Sequence, residues 1–174
     1  MQISLSEILS CEGKSVQMDV AYEPDVYRAN GVEYPILDKK PVHFEFVNLG
    51  EKKISMKADI AITLCMPCDR CLEEVQKEIC VETEREINMK ETEAQRIEAL
   101  DEMDFISGSN LDVDSFVYGE ILLNLPMKIL CREDCMGICS RCGMNLNRGT
   151  CDCDTRSLDP RMAKILDVFK NSNK

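Results

Sequence analysis

One histidine, His43, is all the imidazole this chain contains. No Ser–His–Asp arrangement can be built around it, so triad chemistry has nothing to rest on. A glycine-rich phosphate loop is missing as well, which removes the commonest nucleotide-binding signal. No apolar run approaches the ~20 residues that a membrane-crossing helix needs. The first residues, MQISLSEILSCEGK, lack the cationic start and apolar block of a secretory leader. Internal repeats and low-complexity tracts are absent too. These gaps leave the expectation of a cytoplasmic protein that is not an enzyme, with no catalytic residues, no membrane contact and no small-molecule substrate.

What is present is cysteine, eleven in 174 residues. A secreted disulfide scaffold is excluded on three counts: no leader, an odd number, and clustering at short spacings instead of dispersal. With 44% hydrophobic and 30% charged residues the chain reads as globular. Its net charge of −11 is unevenly spread. Residues 1–127 carry 26 Asp and Glu against 12 Lys and Arg; from Lys128 onward there are nine basic residues against six acidic. Such an acidic body repels a phosphate backbone and suits a basic protein partner. Part of the basic surplus offsets any metal–thiolate site, which is itself anionic.

Six cysteines fall between Cys131 and Cys153: Cys131, Cys135, Cys139, Cys142, Cys151 and Cys153. Cys139-Ser140-Arg141-Cys142-Gly143 has the form of a zinc knuckle, in which two thiolates face one ion and a glycine follows at the turn. Cys139 and Cys142 are the firmest ligands. Cys151 and Cys153 supply the returning arm, with Cys135 competing for a place. One Zn2+ is expected; six thiolates leave a two-metal cluster open, and an iron–sulfur cluster is the rival, since thiolates alone do not choose the metal. No histidine or carboxylate leaves an open coordination position, so the site reads as closed and structural.

A second group is less specific. Cys68 and Cys71 have metal or redox spacing at a hairpin tip, with Arg70 between them. Three readings stand side by side: a second metal site completed by docking on the C-terminal cluster, a thiol redox pair or sensor, and two thiols packing a tight turn.

The expected fold is α+β: a mainly antiparallel β body with a few helices, a small C-terminal zinc-binding module, and a closing helix. Residues 1–127 form the acidic β-rich body with its hairpin tip at 65–72, residues 128–156 the cysteine-rich module, and residues 157–174 the helix. Ser6 caps a brief helix. Val16, Met18, Val20 and Tyr22 alternate as a strand. Residues 23–41, with three prolines and Gly31, read as loop or irregular edge, His43–Val47 as a strand, and Asn48-Leu49-Gly50 as a turn. Ile54, Met56, Ala58, Ile60, Ile62 and Leu64 line one face of a strand that returns through Val75, Ile79 and Val81. Residues 82–104 form an acidic arm. Asn110–Asp114 offers caps for a helix to about Asn124, with Val113, Phe116, Val117 and Ile121 buried and Pro126 as its stop. Asp159-Pro160 starts the closing helix, striped by Met162, Ile165, Leu166 and Phe169.

Three stretches together carry a resemblance: CDRCLEEV (Cys68–Val75), LPMKILCREDCMGICSRCGMNLNRGTCDCD (Leu125–Asp154) and DPRMAKILDVFK (Asp159–Lys170). They resemble the YceD family, the large ribosomal RNA subunit accumulation proteins of bacteria and plastids, over most of the chain. The resemblance implies a non-enzymatic factor for 23S rRNA accumulation and large-subunit assembly. Its partner would be a basic ribosomal protein or assembly factor, with rRNA touched through Arg132, Arg141 and Arg148. Because many members, though not all, carry the cysteine-rich tail, the resemblance also directs attention to the hairpin around Cys68 and Cys71.

Overall fold

In the computed structural model, residues 1–90 and 105–153 are described. The chain divides into two compact units: Met1–Pro67 with Glu74–Ile129, and Cys68–Glu73 with Leu130–Lys174. The closing helix expected from Asp159, and most of the acidic arm, lie outside the described residues.

The first unit is built on one long strand. β6 (Lys53–Pro67) pairs along its whole length with β7 (Glu74–Asn88), from Lys53↔Asn88 to Pro67↔Glu74. Its other edge is shared. β5 (Val42–Gly50) occupies it from Lys53 to Asp59, and β4 (Val32–Lys39) from Ile62 to Leu64. β2 (Ser15–Val20) continues the sheet beyond β5, and β3 (Val26–Ala29) beyond β4. Every pairing is antiparallel. The period-2 pattern of β6 buries Ile54, Met56, Ala58, Ile60, Ile62, Leu64 and Met66, as alternation on a half-buried strand requires.

A second, three-stranded sheet joins β1 (Gln2–Ser4), β9 (Asn110–Asp112) and β8 (Ile106–Ser107). Two helices are described, α1 (Ser6–Leu9) and α2 (Val113–Asn124). α2 starts where Asp112 Oδ1 accepts the backbone N–H groups of Asp114 and Ser115, at 3.0 and 3.2 Å. It buries Val113, Phe116, Val117 and Ile121 in the core. Phe116 meets Phe44 and Phe105 there, with ring centroids 5.7 and 5.1 Å away. The body is therefore mainly antiparallel β, as its alternation predicts.

Local departures have identifiable causes. The proline-rich stretch 23–41, expected as loop or irregular edge, holds two strands, of which β3 is the sheet's edge. Asn30 and Gly31, at φ 53° and 78°, supply a two-residue hairpin turn between β3 and β4. Pro35 is tolerated because β4 meets β6 only from Ile36 onward. Asn48-Leu49-Gly50 belongs to β5, and the turn falls on Glu51 and Lys52, both at positive φ. Asn48 is instead a buried clamp: its Nδ2 donates to the carbonyls of Ile8 and Cys11, and its Oδ1 accepts from Gly50 N–H. Ser6 gives no side-chain cap; its hydroxyl lies 3.1 Å from that of Ser109, and burial of Leu5 fixes the four-residue helix.

Candidate metal centre

The second unit has little room for an apolar core in its described residues, which makes another source of folding energy necessary. Its eight cysteines sort into two groups of four: Cys68, Cys71, Cys131 and Cys135, and separately Cys139, Cys142, Cys151 and Cys153. Within each group the four sulfurs lie within 4.8 Å of one another.

Two knuckles with the same backbone pattern aim these sulfurs. In the first, Leu72 N–H donates to Cys68 O at 2.9 Å, and Leu72 adopts φ 61°. In the second, Gly143 N–H donates to Cys139 O at 2.9 Å, and Gly143 adopts φ 73°. The left-handed residue after each Cys-x-x-Cys turns the chain away, leaving backbone N–H groups pointing at sulfur. Arg141 N–H reaches Cys139 Sγ at 3.4 Å, and Cys131 N–H reaches Cys68 Sγ at 3.4 Å.

The first group ties the loop Cys68–Glu73 to the segment after Leu130. Cys71 and Cys131 sulfurs are 3.5 Å apart, and those of Cys68 and Cys135 are 3.8 Å apart. Arg70 binds the same segment twice: its Nη1 donates to Cys135 O at 2.6 Å, and its carbonyl accepts Ile138 N–H at 3.1 Å. Gly137, at φ 79°, passes so close that a Cβ there would lie 2.9 Å from Arg70 O. Arg148 Nη2 closes the arrangement on Glu73 Oε1 at 2.5 Å.

The geometry fits a soft cation. Tetrahedral metal–sulfur bonds of ~2.3 Å place sulfurs roughly 3.8 Å apart, close to the spacings seen. Protonation points the same way. Burial opposes ionisation of Cys68, yet N–H groups of Cys71, Arg70 and Cys131 bring its pKa to about 6. N–H groups of Cys142 and Arg141 likewise bring Cys139 to about 6. One thiol of each group is pushed far the other way. Burial, then the neighbouring thiols, push Cys131 to about 12; Cys142 beside it, then burial, push Cys153 to about 12. A divalent cation is what lets all four sulfurs ionise together.

All six C-terminal cysteines are thus placed in tetrads, but not as a single set. Cys131 and Cys135 join Cys68 and Cys71, which resolves the competition for Cys135. Spacing gave no signal for which distant cysteines pair, although docking of Cys68 and Cys71 on the C-terminal cluster was one of the readings; the repeated Cys-x-x-Cys was the readable clue. Sequence reasoning placed Arg70 beside the pair but not its bonds to the Cys135–Ile138 segment, and it missed Glu73 and Asn147 as supports. Arg132 Nε lies 3.5 Å from Asp134 Oδ1, so Arg132 and Arg148 both already face carboxylates.

The first unit offers no rival constellation among its described residues. An open cleft of about 630 Å3 beside α2 is lined by Tyr22, Tyr27, Phe105, Tyr118 and Leu123 among others. Its charged groups are engaged: Arg85 with Glu120, Arg28 with Glu33, and Asp114 with the N-terminal ammonium. His43 pairs with Asp19 at 2.7 Å on the exposed sheet face. No described helix is long and apolar enough to cross a membrane.

A β body joined to a unit of two four-sulfur cation sites is the class these features define. The family model described as "Large ribosomal RNA subunit accumulation protein YceD" matches residues 56–169, and the chain belongs to that family. Uncharacterized proteins of Mycobacterium bovis and Mycobacterium tuberculosis are 26% identical over 102 residues, covering 59% of this chain and 49% of theirs. The chain spans about half the length of these curated relatives. No solved structure matches it.

Proposed function

We propose that this protein is a non-enzymatic factor in large ribosomal subunit biogenesis that supports accumulation of 23S rRNA and carries two structural zinc ions, one per tetrad. The observation that carries this reading is the sorting of eight cysteines into two closed four-sulfur groups within a chain whose family is described by large-subunit rRNA accumulation. Four thiolates leave no open position for a reacting water, so the metals hold shape. The acidic body, residues 1–127, engages a basic ribosomal protein or assembly factor in the cytoplasm. Arg141 is the arginine best placed to touch rRNA, since Arg132 and Arg148 have carboxylate partners.

Depletion of the protein tests this: 23S rRNA and free large subunits fall while 16S rRNA holds. Unchanged rRNA levels and subunit profiles overturn it. One observation favours the thiol redox alternative, the lowered pKa of Cys68. Its sulfur is enclosed, however, and Cys68 is fully buried. Rapid alkylation of Cys68 in the metal-loaded protein would restore the redox reading.

A further inference from the structure

The loop of the second tetrad carries a residue that serves the first. Asn147 lies in the chain between Cys142 and Cys151, both of the second group. Its Nδ2 donates to Cys135 Sγ of the first group at 3.2 Å, and its Oδ1 accepts Met136 N–H at 2.8 Å. Its own N–H donates to Asn145 Oδ1 at 2.9 Å. The loop is held to the first group's segment a second time, by Leu146 N–H on Gly137 O at 2.9 Å and the bridge between Ile138 and Asn145. Its start is set by the second knuckle, where Cys139 N–H donates to Met144 O at 2.8 Å. Ordering of the second site and solvation of the first site's thiolate therefore share one carboxamide.

We propose that the two tetrads bind metal with positive cooperativity, and that Asn147 is the positioning residue that couples them. This rests on the two-metal reading above. The second tetrad lies within one short segment, Cys139–Cys153, whereas the first joins residues sixty positions apart. Loop-closure entropy makes the second tetrad the one that loads first. With the 143–151 loop ordered, the Asn147 amide meets the Cys135 thiolate in a charge-assisted hydrogen bond. By linkage, metal in either site raises the affinity of the other by the same factor.

Full-length protein loaded with cadmium-113 tests this, with one resonance expected per tetrad and metal affinity measured by competition with a chelator. Asn147→Ala shifts the first tetrad's resonance alone and weakens that site by about 10–100-fold, the usual cost of losing an outer-shell partner. Cys142→Ser removes the second resonance and weakens the first site by a similar factor. Combining the two adds nothing further. Asn147→Asp, which keeps the acceptor for Met136 but loses the donor to Cys135, is an independent variant with the same expected loss. Losses that multiply in the double variant, or a first site unchanged in Cys142→Ser or Asn147→Asp, overturn the coupling alone. Fewer than two cadmium ions per chain in the unmodified protein overturns the two-site reading, and the coupling with it.

Discussion

The sulfurs of Cys71 and Cys131 lie 3.5 Å apart although sixty residues separate them in sequence. Between them the chain runs through β7 and α2 before returning. A metal at this point closes a long loop, and the two tetrads are consequently unequal. Cys131→Ser is expected to cost one metal per chain and to open the Cys68–Glu73 loop and the residues after Leu130 to protease. Cys142→Ser should cost one metal while exposing chiefly the 139–153 segment. Limited proteolysis with mass mapping separates the two outcomes.

The residues following each knuckle have opposite chemistry at the same backbone angle. Leu72, exposed at φ 61°, holds a conformation that costs a side-chain-bearing residue ~1 kcal/mol. Leu72→Gly should therefore raise stability by up to ~1 kcal/mol, and β-branched Leu72→Val should lower it. Gly143→Ala meets no neighbouring atom and loses only that backbone term, ~1 kcal/mol. Gly137→Ala adds a clash with Arg70 O, worth a further ~1–3 kcal/mol. Urea unfolding of the zinc-loaded variants ranks them.

On the core side of β7, Arg85 Nε and Nη2 both donate to Glu120 Oε1, at 2.9 and 2.7 Å. Glu120 is buried, whereas Arg85 is about a third exposed. Arg85→Ala leaves a buried carboxylate without its partner. The full cost of breaking such a pair is ~3–5 kcal/mol, and partial solvent access at Arg85 sets the expectation at about 2–3. Arg85→Ala with Glu120→Leu should recover most of the loss in a double-mutant cycle.

His43 Nδ1–H donates to Asp19 Oδ1, which with the nearby carboxylates of Asp59 and Glu45 raises its pKa above 6.5. Because the folded value is the higher one, the protonated form favours the fold. This contribution is fully present below 6.5 and is lost as pH rises through the folded value. An NMR titration should show His43 above 6.5, and Asp19→Asn should bring it down.

Much of this was legible in the sequence. The alternation in β6 placed its buried face residue by residue, and Asp112 lay among the caps expected for α2. The hairpin β3–β4 was hidden because Pro24, Pro35 and Pro41 outweighed the Asn30-Gly31 turn, and whether a proline breaks a strand depends on which edge its missing N–H faces. Asn48 read as a turn residue; its actual work, holding α1 against β5, depends on a contact forty residues away. The cysteines announced a metal, and docking of Cys68 and Cys71 on the C-terminal cluster stood among the readings, but which two cysteines join them was not legible. Spacing governs ligands that are close in sequence, and the grouping of Cys131 with Cys71 joins residues sixty positions apart.

The claim of two closed four-sulfur sites is tested most directly by elemental analysis of the purified protein combined with a native thiol count. Eight of the eleven cysteines lie in the tetrads, leaving Cys11, Cys65 and Cys80. Two zinc ions per chain are expected, with three thiols reacting in the native protein and eleven after denaturation with chelator. One metal or none, or more than three thiols reacting at once in the loaded protein, would contradict it.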